Sequence, residues 1–166
     1  MTLAVACGCQ TEKKKKSEAK KDVVAALRIH VQADPSVGGS DTVSVLRSTP
    51  VSVAVGHDPV LTEANVNTAE VIDTPGGFAV EVHFDDTGAL MLEQYSAANP
   101  GRHFVIFGQW GDKLVNGRWL AAPLITRRIS NGVLAFTPDI TRQEAEQLVL
   151  GLNNVSIKVH KSIFDK

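Results

Sequence analysis

The stretch that most constrains this chain is "GGFAVEVHFDD", residues 76–86. In an extended backbone, Phe78, Val80, Val82 and Phe84 fall on one side. Glu81, His83 and Asp85 fall on the other. A period of two marks a strand with one covered face and one wetted face. Such a strand is not stable alone; it needs paired neighbours and a cover for its apolar side.

The following residues supply both. "TGALMLEQYSAAN" reads as a helix that stops at Asn99-Pro100-Gly101. "RHFVIFGQW" is a predicted strand. "KLVNGRWLAAPLI" predicts a hairpin turning at Asn116-Gly117, a dipeptide suited to positive backbone angles, and "RRISNGVLAF" repeats the device at Asn131-Gly132. "TRQEAEQLVLGLNN" is the strongest predicted helix. Thr141 and Glu144 form a capping box, Ala145, Leu148, Val149 and Leu152 make one stripe, and Gly151 with the Asn pair marks its end. "VSIKVH" alternates as a last strand. Upstream, Val23–Ala33 reads as a strand, and Asp41–Val55 as a strand interrupted at Pro50. "HDPVLTEANV" reads as a turn with a short helical turn.

The predicted class is therefore α+β. It is a ferredoxin-like β-α-β-β-β-α-β antiparallel sheet with the helices on one face, plus extra N-terminal strands. The expected division is a lipoprotein signal remnant and Lys-rich tether over 1–21, N-terminal strands over 22–57 packed on the main domain, and the α+β domain over 58–166.

Charge and cysteine content exclude several functions. The net charge is −1, but residues 1–21 hold six lysines against Glu12 and Glu18, leaving 11 basic against 16 acidic residues in the body. An acidic body does not suit nucleic-acid phosphates, which need clustered positive charge. Both cysteines, Cys7 and Cys9, precede the body, so a disulfide core or Cys-based zinc site is excluded there. No run approaches the roughly 20 apolar residues of a spanning helix. Leu3-Ala4-Val5-Ala6 before Cys7 fits the end of a bacterial lipoprotein signal, with Cys9 as the second choice for lipid. Six residues before Cys7 are fewer than the apolar core of about 7–15 that a whole signal carries. The competing reading is a cytosolic tail. The expectation is a lipid anchor on a membrane, with the lysines as a solvated spacer.

Sites of chemistry are sparse. Glu81, His83 and Asp85 share a strand face about 6–7 Å apart at alternate positions, where a metal or acid/base group is conceivable and a solvated face is the plainer reading. His30, His57, His103 and His160 have no ligand spacing. The body contains no Gly-x-Ser-x-Gly, cysteine nucleophile or Gly-rich phosphate loop. No catalytic residue, metal or cofactor is expected. Trp110 and Trp119 bracket the predicted hairpin with Phe107 nearby, as partner contacts if exposed or as core if they pack beneath it. Arg127 and Arg128 straddle the bend before Asn131-Gly132, where at least one must face water.

In order, these motifs resemble the first extracytoplasmic domain of the SecD family, a subunit of the bacterial protein-export machinery. "DPVLTEANVNTAEV" is similar to its Leu-Thr-x-x-Asp/Asn turn and alanine-bearing strand. "FAVEVHFDDTGALMLEQYSAANPGR" is similar to its strand ending in Phe-Asp, then Gly-Ala, a helix and Gly-Arg. "LAAPLITRRISNGVLAF" is similar to its Ser-Ala-Pro-x-Ile and Ile-x-Gly-Gly, and "TRQEAEQLVLGL" to its Glu-Ala-x-x-Leu helix. The resemblance spans about Asp58 to Asn154. It implies a SecD-like domain detached from its membrane motor, which acts in the envelope without catalysis and binds unfolded polypeptide or a protein partner, possibilities that include the export machinery. The alternative is a structural envelope lipoprotein with no export role, and a small hydrolase or metal enzyme on the Glu81–Asp85 face ranks third.

Overall fold

The computed structural model describes residues 23–36 and 38–164. Cys7, Cys9 and the Lys-rich segment lie outside the described residues. The strands are β1 (Ala26–Val31), β2 (Ser40–Val45), β3 (Val51–Gly56), β4 (Leu61–Thr62), β5 (Val66–Thr74), β6 (Gly77–Phe84), β7 (Phe104–Trp110), β8 (Asn116–Ala121) and β9 (Val133–Phe136). Helix α1 (Asp86–Ala98) follows β6, and α2 (Arg142–Phe164) closes the chain. All pairings are antiparallel. The α+β class with two helices stands.

Among the described residues, the strands divide among three sheets rather than one: β4-β1-β7-β8, β2-β3 and β5-β6-β9. The division begins at the end of β8. Pro123 has no N–H to continue a ladder, so regular pairing ends at Ala121. Phe104 N–H still donates to Pro123 C=O at 3.0 Å, and Ile125 N–H to Arg102 C=O at 2.8 Å. After Asn131, β9 pairs with β6 and leaves the sheet it came from.

One continuous core joins the two larger sheets. Leu27, Ile29, Phe104, Ile106 and Leu120 face Val80, Val82, Leu134 and Phe136, with Leu92 from α1 and Ala145, Leu148 and Leu152 from α2. A smaller cluster of Val45, Val53, Val55 and Val105 lies on the opposite side of the β1-β7-β8 layer, beneath the β2–β3 hairpin. That hairpin corrects the expected single strand. Val45 pairs with Val51 and Ser40 with Gly56, so the segment containing Pro50 is a turn.

The predicted final strand is helix. α2 runs from Arg142 through the whole "VSIKVH" stretch. Gly151, Asn153 and Asn154 imitate a helix end, but each serves a tertiary contact instead. A Cβ on Gly151 would lie 2.6 Å from both Cβ and N of Ala25, so only glycine lets the helix rest on the chain entering β1. Asn154 Nδ2 donates to Val23 C=O at 2.9 Å. Beyond them, Leu152, the buried Ser156 and the half-buried Val159 continue one helical face. The capping box forms as predicted. Thr141 N–H and Oγ donate to Glu144 Oε2 at 2.8 and 2.9 Å, and Glu144 N–H donates to Thr141 Oγ at 3.3 Å.

Candidate functional site

β7 and β8 carry three of the predicted contact residues, and strand alternation sends them to opposite sides. Trp110 shares a side with Ile106 and Gly108 and is 0% exposed. The Arg118 guanidinium lies 5.5 Å from its ring centre, and its indole N–H has no hydrogen-bond partner among the described residues. It belongs to the core and offers no surface. Trp119 pairs with Phe107 across the ladder, beyond a bulge between Ile106 and Phe107. Its ring meets Phe107 edge-on at 5.2 Å and His30 at 5.3 Å. The hairpin does not turn at Asn116-Gly117, because both residues are in β8, opposite Trp110 and Gln109. The reversal comes earlier, at Gly111 (φ 88°), Lys113 and Leu114.

Phe107 and Trp119 line a shallow groove of 590 Å³ bordered by Leu46 and Pro50. Arg47 and Asp139 close its rim as an ion pair at 3.3 Å. Behind Trp119, His30 is buried, and its Nδ1–H donates to Gly56 C=O at 2.9 Å. Burial holds this imidazole below its ordinary range, against the opposing effect of that bond.

Arg127 and Arg128 belong to a second groove of 530 Å³, between the segment 123–131 and β9. Arg128 is ion-paired with Glu93 of α1. Arg127 is exposed and has no ion-pair partner among the described residues. Leu124, 51% exposed, and half-buried Ile129 line the same groove, as do Val133 and Ala135 of β9. Ser96 anchors this wall. Its Oγ accepts from Ile129 N–H at 2.8 Å and donates to Glu93 C=O at 3.1 Å. The sequence reading missed Leu124, Ser96 and β9 as parts of a site. The available signal was an apolar residue set between a proline and two arginines.

The strand-face trio of Glu81, His83 and Asp85 does not assemble. Asp85 is the N-cap of α1, accepting from Gly88 N–H at 2.7 Å. Strand pairing brings Glu70 opposite Glu81 instead. His83 Nε2 is 2.9 Å from Glu81 Oε1 and 3.9 Å from Glu70 Oε1. These three groups could offer ligands to a cation on the wetted sheet face, with ligand atoms all within 4.8 Å of one another.

The folded segment from β2 into α2 has known relatives. The family model for the SecDF P1 head subdomain matches residues 40–159. The chain belongs to the SecDF P1 head family. That match starts upstream of the motif resemblance and takes in the β2–β3 hairpin. Among solved structures, the chain is similar to SecDF, described as a membrane component that enhances protein export, with TM-score 0.57 and 17% identity over 92% of this chain and 72% of that one. It is also similar to SecDF in a super-membrane-facing form, with TM-score 0.59 and 18% identity over 89% of this chain and 21% of that one. At such identities the likeness speaks for the P1 head fold. No curated protein matches the sequence. Among the described residues, no helix is long and apolar enough to cross a membrane.

Proposed function

We propose that this chain works outside the cytoplasm in protein export, where it binds unfolded polypeptide or a protein partner without catalysing a reaction. The observation that carries the reading is the SecDF P1 head match over residues 40–159. The two open grooves support it, since each joins exposed apolar side chains to arginine at the surface. Lipid on Cys7, with Cys9 as second choice, would hold the domain at a membrane through the lysine-rich segment.

A photo-crosslinking side chain at position 127 or 119 tests the binding. In membranes holding a secreted precursor stalled midway through export, an adduct to that precursor is expected. A folded, membrane-associated protein that gives no adduct from either position overturns the polypeptide reading. The mass of the native N-terminal peptide tests the anchor. A diacylglyceryl adduct on Cys7 is expected, and two unmodified cysteines remove the anchor from the proposal.

A further inference from the structure

The β5-β6-β9 sheet has two outer edges, and the molecule treats them differently. At the β5 edge, Asn153 of α2 acts as a substitute strand residue. Its Oδ1 accepts from Ala69 N–H at 2.8 Å and its Nδ2 donates to Ala69 C=O at 2.9 Å. Ser156 Oγ donates to Asn67 C=O at 2.7 Å. A helix thus satisfies the peptide groups that an edge strand otherwise leaves open.

The β9 edge has no such cover among the described residues. Phe84 N–H donates to Gly132 C=O at 2.9 Å, which sets the phase of the β6–β9 ladder. Bonded pairs recur at every second residue of an antiparallel ladder. Leu134 and Phe136 therefore turn their peptide groups toward Val82 and Val80, and Val133 and Ala135 turn theirs outward. Asn131 Oδ1 accepts from Val133 N–H at 3.3 Å. The C=O of Val133 and both peptide groups of Ala135 have no partner outside the ladder among the described residues. Val133 and Ala135 line the 530 Å³ groove, with Leu124, Ile129 and the exposed Arg127 around it.

We propose that the free edge of β9 accepts an extended polypeptide segment as an added strand. The edge presents peptide donors and acceptors without partners among the described residues, and another extended backbone supplies partners for both at the 4.7–4.9 Å strand spacing. Alternate apolar side chains of the bound segment lie on Leu124 and Ile129. Arg127, on the rim and without an ion-pair partner among the described residues, selects a segment with a carboxylate at that end. Recognition through the main chain suits an occupant of varied sequence. This inference rests on the polypeptide-binding reading above and names the part of the polypeptide that is read.

The test uses the whole protein with two blocked heptapeptides alternating valine and threonine and ending in aspartate. One is unmodified, and the other is N-methylated at every second residue so that its side chains stay and its outward donors go. Binding is read by fluorescence anisotropy. The unmodified peptide should bind, and the methylated one about tenfold or more weakly. Ala135→Pro, which removes one outward N–H where proline is tolerated, should weaken the unmodified peptide by a similar factor. Arg127→Ala should weaken it less, and only while the aspartate is present. Equal binding of both peptides overturns the edge proposal and leaves polypeptide binding intact. Binding of neither overturns both. A wild-type dimer in sedimentation that Ala135→Pro dissociates also overturns the proposal, because the edge then belongs to a second copy. If Ala135→Pro loses its circular-dichroism signature, the peptide pair alone decides.

Discussion

Two apolar layers lie on opposite faces of the β4-β1-β7-β8 sheet, and each holds one of the two tryptophans. On the α2 side, Trp110 is fully buried among residues from both large sheets and both helices. On the hairpin side, Trp119 is only half-buried and leans on a cluster of four valines. The same residue type nine positions apart is structural in one layer and available to a groove in the other. Residue type does not decide exposure here; the thickness of the covering layer does. A helix with a continuous apolar stripe closes its side of the sheet. A two-stranded hairpin of alternating valine and serine leaves its side shallow, and surface grooves follow.

Truncating each tryptophan is the most direct way to break this comparison. Trp110→Ala should cost about 3–5 kcal/mol, as for other large-to-small changes in a sealed core. Trp119→Ala should cost about 1–2 kcal/mol, the area term for a half-buried ring. Urea unfolding reads both, and equal losses would mean that the two layers are energetically alike. The next effect sharpens the role of α2. Asn153→Leu keeps the side-chain volume but strands the Ala69 peptide groups, so about 2–3 kcal/mol should be lost. Hydrogen exchange at Ala69 should rise further than at Ala135, whose N–H is already open.

The smallest effect concerns the hairpin layer and pH. His30 is held below its ordinary range first by burial, with Arg28 acting in the same direction and the Gly56 bond and Asp58 against it. The unfolded chain therefore binds the proton more readily. The stabilising contribution of neutral His30 is fully present above about pH 6.5 and is lost as pH falls through the folded value. Trp119 fluorescence, reporting on the ring 5.3 Å away, should change over that window. His30→Gln should flatten the change, and an unchanged profile in the variant would assign it to another group.

Much of the fold was legible in local pattern. The period-two run of β6, the helix that follows it with its stop at Asn99-Pro100-Gly101, and the Thr141–Glu144 box were all readable, because each depends on contacts within a few residues. The reading of "VSIKVH" as a strand failed because β-branched alternation favours a strand only until packing offers more. Here Leu152, Ser156 and Val159 lie on one helical face against β5, and that burial outweighs propensity. Asn116-Gly117 suited a turn, but Gly111, Lys113 and Leu114, all at positive φ and just upstream, took that role.

The candidate site was less readable for the same reason. Arg127 and Arg128 were visible as a charged bend, yet nothing near them in sequence shows that Arg128 is paired with Glu93 while Arg127 has no ion-pair partner among the described residues. Nor could the alternation in "GGFAVEVHFDD" show that Glu70 would replace Asp85 beside His83, since only strand register brings them together.

Sequence alone determined the α+β class, the acidic body with its lysine-rich N-terminal segment, and the motif order that places the chain beside SecD, because composition and short-range periodicity are properties of the chain itself. Tertiary structure decided which tryptophan is sealed and which sheet edge is left open. Those outcomes depend on contacts between residues far apart in sequence, such as Asn153 with Ala69 and β9 with β6, which form only when distant strands and helices meet.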